Sequence, residues 1–231
     1  MDFKGFERSY WNYYIELEER IRETHRYIEY DESNFKTYSS YYLMLFQAVC
    51  SEIDVVGKEI AAYFNPLFDT EKNIKSINRW WFEVQDNLPE INREIVFANS
   101  FAIKPWNKYR VVRKQTEQFK NGTSTIITKY NLQVSTNEIK YSTPSWWNAY
   151  NKVKHTRLKS DNDGVHYKKA NLLNLSTAFA ALYLLEFDFM KKIGTEQDRL
   201  KCRKSELFGM GDLQDLYIHS ASVRNGCATF I

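Results

Sequence analysis

The sequence predicts a mainly α-helical protein, an antiparallel helical bundle with a small β-rich insert at about residues 104–142. Apolar residues recur at three- and four-residue steps along several segments, which is the spacing of one face of an α-helix. The chain contains only 8 Gly and 4 Pro, which argues against a many-turned all-β architecture. With 231 residues and 43% hydrophobic content it can bury one core, so we expect a single domain over residues 1–231.

Four helices are predicted before the insert. The first two have the clearest apolar stripes, and Asn65-Pro66 ends the second because proline disfavours the helical conformation of its predecessor. Asp69 or Thr70 can cap the third helix, and a short fourth helix follows Pro89. In chain order, their apolar stripes cover residues 6–28, 42–64, 74–88 and 91–96.

The periodicity changes between residues 104 and 142. Short runs rich in β-branched and aromatic residues occupy 109–113, 125–130 and 138–141, and Asn121-Gly122 is a turn signal between two of them. This pattern indicates a β-hairpin or a three-stranded insert, and a long irregular loop is the alternative.

Further helices are predicted after the insert. Thr143-Pro144 reads as an N-cap followed by proline at the first helical position, and a turn at 161–164 ends the helix that follows. The segment 166–193 is apolar almost all round, which predicts the central helix of the bundle. Gly194 is expected to end this central helix. Thr195 can cap a weaker helix that runs towards Phe208, and residues 209–231 form a tail without a clear pattern.

Positive charge is concentrated in one part of the chain. Residues 104–169 contain 14 Lys and Arg against 4 Asp and Glu, a net charge of +10, while the whole chain carries only +3. A local positive field attracts polyanions, so this segment is a candidate for binding nucleic acid. A basic surface loop without any partner is the alternative.

Several functional classes are disfavoured by what the sequence contains. Cys50, Cys202 and Cys227 are widely spaced, so we expect no disulfide scaffold, no metal site and no cofactor, and a cytoplasmic location. The N-terminus has no apolar signal-peptide core, and polar residues interrupt the most apolar window at 170–190, so no membrane span is expected. Phosphate-binding loops, dinucleotide fingerprints and nucleophile elbows are not found in the sequence.

One predicted helix face carries the candidate chemistry. Asn151 and His155 are four residues apart, so their side chains lie one turn apart on the same face. A neighbouring row adds cations and an aromatic ring, and a phosphate or an RNA strand could lie across both rows. The candidate RNA-binding residues beside this pair are Tyr150, Lys152, Lys154 and Arg157.

The window Tyr150-Asn151-Lys152-Val153-Lys154-His155 resembles the signature of the HEPN family (higher eukaryotes and prokaryotes nucleotide-binding). That signature has arginine, a polar residue that is often asparagine, three further residues and histidine. Asn151 and His155 match it, and Tyr150 stands in the arginine position. Together with the order of the long helices, the resemblance covers about two-thirds of the chain.

The resemblance implies a metal-independent endoribonuclease of a toxin or phage-defence system. The enzyme would be a homodimer in which two copies of the motif face each other, with an antitoxin as a possible partner. His155 would take the proton of the RNA 2′-hydroxyl or protonate the leaving 5′-oxygen, and Asn151 would orient the phosphate or the imidazole. The arginine would stabilise charge on the phosphorane, a task that Lys154 or Arg157 could take over here.

Other interpretations remain open at this stage. The protein could be a non-catalytic interaction protein that docks a partner protein, or a helical partner of a nucleotidyltransferase. Asn151 and His155 could also satisfy each other inside the bundle. Glu52 is a candidate for a polar cleft, whereas surface or capping roles are expected for His25, His166 and His219.

Overall fold

The structure is a computed structural model that describes residues 1–68, 76–120 and 123–208, and these residues form a mainly α-helical protein. At the N-terminus, helix α1 (Phe3–Phe6), a π-helical turn (Glu7–Trp11) and helix α2 (Asn12–Thr24) follow one another without a break. The predicted first helix therefore ends before Ile28, and the π-helical turn was not predicted.

Helix α3 (Ser40–Phe64) confirms the second predicted helix. The Ser39 hydroxyl accepts a hydrogen bond from the amide of Tyr42 and caps its first turn. Asn65 at the other end has an extended conformation, as expected for a residue that precedes proline.

Helix α4 (Ile77–Val84) begins after Ser76, whose side chain accepts a hydrogen bond from Asn78. The predicted caps Asp69 and Thr70 lie outside the described residues. A 3-10 helix (Pro89–Asn92) comes next.

The predicted helix over residues 91–96 is wrong in its second half. Strand β1 (Ile95–Phe97) pairs with strand β2 (Phe101–Ile103) in an antiparallel hairpin, with Phe97 opposite Phe101. β-branched residues such as Ile95 suit a strand as well as a helix, and pairing with β2 decides between the two.

The insert contains a two-stranded antiparallel β-ribbon, formed by β3 (Val111–Lys120) and β4 (Thr123–Leu132). Residues 138–141 form no strand, so the hairpin interpretation holds and the three-stranded one does not. The predicted turn at 121–122 lies outside the described residues. The Gln85 side chain ties the root of the ribbon to the segment after α4, because it accepts from the Val111 amide (2.9 Å) and donates to the Val111 carbonyl (2.8 Å).

Helix α5 (Ser145–His155) starts one residue later than predicted, since Pro144 occupies the N-cap position. The predicted turn at 161–164 exists, but α5 has already ended at His155. The turn joins two short antiparallel strands, β5 (Ser160–Asp161) and β6 (Gly164–Val165), and Gly164 has a positive φ of 102° there.

A 3-10 helix (His166–Lys169) leads into helix α6 (Leu172–Ile193), which starts later than predicted. α6 packs along α3 and is buried over most of its length. It is long and apolar enough to cross a membrane, yet 78% of its most apolar window is buried inside the protein.

Gly194 ends α6 in an extended conformation, and helix α7 (Glu196–Lys201) follows with a capping box between Thr195 and Asp198. α7 stops short of the predicted end near Phe208. A Cβ atom on Gly194 would lie 2.2 Å from the Phe3 ring, so the end of α6 requires glycine for space. The predicted tail at 209–231 lies outside the described residues.

Tryptophan packing fixes the orientation of α5. The Trp81 and Trp106 rings stack with centroids 4.2 Å apart, and the Trp146 ring meets Trp106 edge-on at 5.2 Å. The Trp146 indole also donates a hydrogen bond to the Pro105 carbonyl at 3.0 Å. Because the Trp146 side of α5 is held in the core, the opposite side of the helix faces solvent.

Candidate nucleic-acid interface

The two residues of the candidate catalytic pair lie on the solvent side of α5. His155 is exposed and Asn151 is half-buried, whereas Trp146 and Val153 are buried. Neither the His155 nor the Asn151 side chain forms a hydrogen bond with another described residue. The two side chains therefore do not satisfy each other in the interior, and His155 is accessible to a ligand.

Tyr150 differs from its prediction as an RNA contact. Its side chain is only 6% exposed, with the ring edge-on to Phe46 and next to Trp147. Burial raises the pKa of the Tyr150 hydroxyl, an effect that the nearby Lys154 ammonium partly offsets. An RNA base cannot stack on this ring, because α5 turns position 150 towards the core.

Lys154 and Arg157 are both exposed, as an RNA-binding role requires. The Lys154 ammonium lies 5.4 Å from the centroid of the Tyr150 ring. Arg157 lies beyond the last turn of α5 and its Nε donates a long hydrogen bond of 3.5 Å to the Val153 carbonyl. Neither cation forms an ion pair with a described carboxylate, so both are free to meet an anion.

A cleft of about 1180 Å³ lies beside α5, and we call it the α5 cleft. Its walls come from α5, the loop before α3, the β5–β6 turn and the start of α6. Four lysines and two acidic residues line it together with several amides, hydroxyls and apolar side chains, which makes it a groove with a net positive charge. The charged lining residues are Lys36, Lys152, Lys168, Lys169, Glu32 and Asp163.

Asp161 organises one wall of the α5 cleft. Its carboxylate lies 2.7 Å from the Lys152 ammonium and 3.1 Å from that of Lys169. The hydrogen bond from Lys152, followed by that from Lys169, holds the pKa of Asp161 well below its usual value. Lys152, which was predicted as an RNA contact, thus lines the cleft but already forms an ion pair with Asp161.

His166 is buried, which corrects its predicted surface role, while its contact with Thr156, the C-cap residue of α5, is compatible with the predicted capping role. Its Nδ1 lies 2.8 Å from the Thr156 hydroxyl and 3.0 Å from the Thr156 carbonyl, and its Nε2 lies 3.4 Å from Asp161. These contacts connect the residue after α5 to the β5–β6 turn. They hold the end of α5 against the β5–β6 turn. Of the remaining histidines, His25 is exposed as expected and His219 lies outside the described residues.

Helical geometry relates the candidate pair to the cleft. Asn148 and Lys152 line the α5 cleft, and His155 follows them by seven and three residues. On an α-helix these spacings bring side chains to the same side, so His155 lies on the continuation of the cleft-lining side of α5. Neither Asn151 nor His155 itself lines the cleft, so the pair lies beside it, towards the C-terminal end of α5.

Sequence reasoning missed the residues that the cleft recruits from elsewhere. Lys36 lies before α3, and Lys168 and Lys169 lie before α6, far from the motif in the chain. Lys168 packs over the Tyr38 ring at 5.2 Å, and its hydrogen bond is the main cause that lowers the pKa of Tyr38. Their only sequence signal was the charge excess of residues 104–169, which contains Lys168 and Lys169 but not Lys36.

The chain matches no protein-family model, no curated protein and no solved structure. Any family assignment therefore rests on Asn151, His155 and the order of the helices. Within the described ranges, no group of three or more His, Cys, Asp or Glu side chains is arranged to hold a metal ion.

A second group of ionisable residues lies inside the protein. Glu186 of α6 is fully buried, and neither carboxylate oxygen has a hydrogen-bond partner among the described residues. Burial, and then the charge of Glu52 on α3, raise the pKa of Glu186 well above its usual value. Glu52 is half-buried, its pKa is raised by burial as well, and it does not line the α5 cleft.

Proposed function

We propose that the protein binds RNA in the α5 cleft and cleaves it without a metal ion, as a HEPN-like helical bundle of a cytoplasmic toxin or phage-defence system. One observation carries this proposal. The exposed His155 and the half-buried Asn151 lie on the helix that forms a wall of a lysine-lined groove. The packing of α6 along α3 fits the antiparallel bundle that the proposal assumes.

Binding would follow from charge and shape. The α5 cleft offers the ammonium groups of Lys36 and Lys168, which form no ion pair with a described carboxylate, together with amide and hydroxyl groups, and these suit phosphate and ribose oxygens. A groove that follows the backbone of a single strand is the usual device for binding RNA without strong sequence preference.

Cleavage would use His155 and the 2′-hydroxyl of the RNA. The 2′-oxygen attacks the phosphorus, the bond from phosphorus to the 5′-oxygen breaks, and the products are a 2′,3′-cyclic phosphate and a free 5′-hydroxyl. His155 accepts the proton of the 2′-hydroxyl or supplies the proton of the leaving oxygen. In the proposed homodimer a second copy of the motif performs the other transfer, while Asn151 orients the phosphate and Lys154 and Arg157 balance its charge.

Binding is tested with a fluorescently labelled single-stranded RNA by anisotropy. Lys168→Ala removes an exposed cleft cation, and Lys192→Ala removes an exposed cation at the far end of α6, about 30 Å away by helical rise. We expect the first variant to bind about threefold more weakly, with a salt slope reduced by about 0.7, and the second to match the wild type. Equal affinities for both variants and the wild type would contradict the cleft as the binding site.

Cleavage is tested with His155→Ala and Asn151→Ala. Loss of His155 should lower the rate at saturating RNA by about 100-fold or more. The melting temperature should not change, because the side chain is exposed and makes no described hydrogen bond. RNA binding should persist, which separates catalysis from recognition. If the wild-type protein binds RNA but yields no cyclic phosphate product, the proposed cleavage is wrong and only the RNA-binding proposal remains.

A second candidate function is docking of a partner protein, such as an antitoxin or a nucleotidyltransferase. Leu158 is 89% exposed and lies between exposed Arg157 and Lys159, directly after α5. An apolar side chain between two cations fits an acidic partner surface. Under this alternative, Leu158→Ser weakens the complex with a co-expressed partner, and His155→Ala has no effect on it.

A further inference from the structure

The β-ribbon of β3 and β4 extends beyond the body of the protein. Its root is anchored, with Val111 buried and the Tyr130 ring 5.3 Å from Phe82 on α4. Farther out, residues 113–119 and 124–126 are all exposed. A two-stranded ribbon with both faces in water is only marginally stable by itself, so the outer part of the ribbon is suited to meeting a ligand.

The two faces of the β-ribbon differ in chemistry. Alternate side chains on each strand point to opposite faces, and the register fixes which residues share a face. One face contains Tyr130 at the root and the exposed Phe119 and Ile126 farther out. Among the residues whose side chains the structure describes, the other face contains two lysines, two β-branched apolar residues, neutral polar residues and no acidic residue. Its members are Val112, Lys114, Thr116, Gln118, Thr125, Ile127, Lys129 and Asn131.

Lys114 and Lys129 are directly opposite each other on this second face. Like charges in a cross-strand pair repel and destabilise the ribbon. Both lysines are exposed, and neither forms an ion pair with a described carboxylate. The protein itself therefore offers no described counterion for this pair.

The root of the β-ribbon lies close to the α5 cleft. The Ser142 amide donates a hydrogen bond of 3.0 Å to the Lys108 carbonyl, three residues before the start of β3. Ser145, which lines the α5 cleft, follows Ser142 by three residues, a reach of about 10 Å at most. An RNA strand that leaves the cleft beside the start of α5 can therefore continue along the ribbon.

We propose that the Lys114–Lys129 pair is a second RNA contact, which holds the phosphate backbone of a strand bound in the α5 cleft. This inference rests on the proposed function, because it extends the same bound strand. RNA fits this face better than a protein does, since the face is cationic and the strongly exposed apolar residues Phe119 and Ile126 lie on the opposite face. A polyanion also supplies the counterions that the lysine pair lacks.

The test uses Lys114→Gln/Lys129→Gln with two RNA lengths. An oligonucleotide of about 4 nucleotides fills the cleft alone, and one of about 16 nucleotides also reaches the ribbon. We expect the double variant to bind the long RNA about tenfold more weakly, with a salt slope reduced by about 1.4, and to bind the short RNA like the wild type. The matched control is Lys192→Gln/Lys204→Gln, which removes two exposed lysines elsewhere and should bind both RNAs normally.

The outcomes separate the two proposals. Unchanged affinity of the ribbon variant for long RNA, while Lys168→Ala still weakens binding, overturns the ribbon contact and leaves the proposed function in place. If the ribbon variant keeps its RNA affinity but loses self-association in sedimentation, the ribbon is a protein-docking element. That result also overturns the ribbon contact with RNA. A wild type that binds neither RNA overturns both proposals. Lys114→Arg/Lys129→Arg should keep the wild-type affinity, and its melting temperature checks that the ribbon is intact.

Discussion

Lys152 and Asp161 form an ion pair with an Nζ–Oδ2 distance of 2.7 Å, which joins α5 to the β5–β6 turn at the wall of the α5 cleft. The same carboxylate also binds Lys169. Two of the four cleft lysines are thus engaged by one internal acid. In the proposed RNA complex, a phosphate that enters the cleft would have to compete with this carboxylate.

Asp161→Asn should therefore strengthen RNA binding. The substitution frees the Lys152 ammonium, leaves Lys169 paired with Asp163 at 3.2 Å, and keeps the side-chain oxygen that accepts from the Asp163 amide at 3.0 Å. Exposed ion pairs contribute about 0.2–1 kcal/mol, so we expect an affinity gain of about threefold in the anisotropy assay. Glu90→Gln removes the partner of Lys191 near the other end of α6 and serves as the control. Weaker binding by Asp161→Asn would contradict a competing role.

Tyr150→Arg introduces the residue that the family signature has at this position. We expect it to lower the free energy of unfolding by about 3 kcal/mol and not to raise the cleavage rate. The reason is that position 150 faces Phe46 in the core, where a guanidinium loses its hydration. Urea unfolding measures the loss, with Tyr150→Phe as the milder control. A variant with wild-type stability and faster cleavage would show that the side chain reaches the RNA.

Glu186→Gln should change how stability depends on pH. The folded-state pKa of Glu186 is raised well above 4.5, so above pH 4.5 the unfolded chain is ionised while the folded protein keeps its proton. Each pH unit between these two pKa values then costs about 1.4 kcal/mol of stability, which the amide avoids. The variant should gain stability relative to the wild type as pH rises above 4.5, and the gain should vanish below it. Melting curves from pH 4 to pH 8 measure this, with exposed Glu16→Gln as the control. Parallel curves for Glu186→Gln and the wild type would contradict a buried protonated Glu186.

Gly57→Ala should destabilise the protein although alanine favours helices. A Cβ atom at position 57 of α3 would lie 2.7 Å from three carbons of the Trp80 ring. Trp80 is fully buried and its indole donates to Asp54 at 3.2 Å, so the ring cannot move away easily. Overpacking costs about 1–3 kcal/mol and helix propensity returns up to about 1 kcal/mol. Urea midpoints should show a net loss of about 1–2 kcal/mol relative to exposed Ser51→Ala, and a stabilised variant would contradict it.

Long amphipathic segments were the most predictable part of the fold. The stripe over residues 42–64 predicted α3 because its core-facing residues repeat with the helical period, and Ser39 and Pro66 mark its ends. The segment over 91–96 failed because three apolar residues are too few to distinguish a helix from a strand, and pairing with β2 decided it. The π-helical turn at Glu7–Trp11 has no sequence signal of this kind.

The candidate site was only partly predictable for a related reason. Helical spacing alone puts Asn151 and His155 on one face, and that holds for any fold in which the segment is a helix. Which face points to solvent depends on Trp146 meeting Trp106, a contact across distant parts of the chain. The same packing buries Tyr150, which the spacing by itself had placed beside the cations.

The amino-acid sequence by itself determined the long helices, the basic segment and the alignment of Asn151 with His155, because periodicity and charge are local properties. The tertiary structure decided which side of α5 faces solvent, which lysines line the α5 cleft and which of them form ion pairs with Asp161. Those features depend on side chains that come together from distant positions in the chain to bury apolar surface. A local sequence pattern does not specify such contacts.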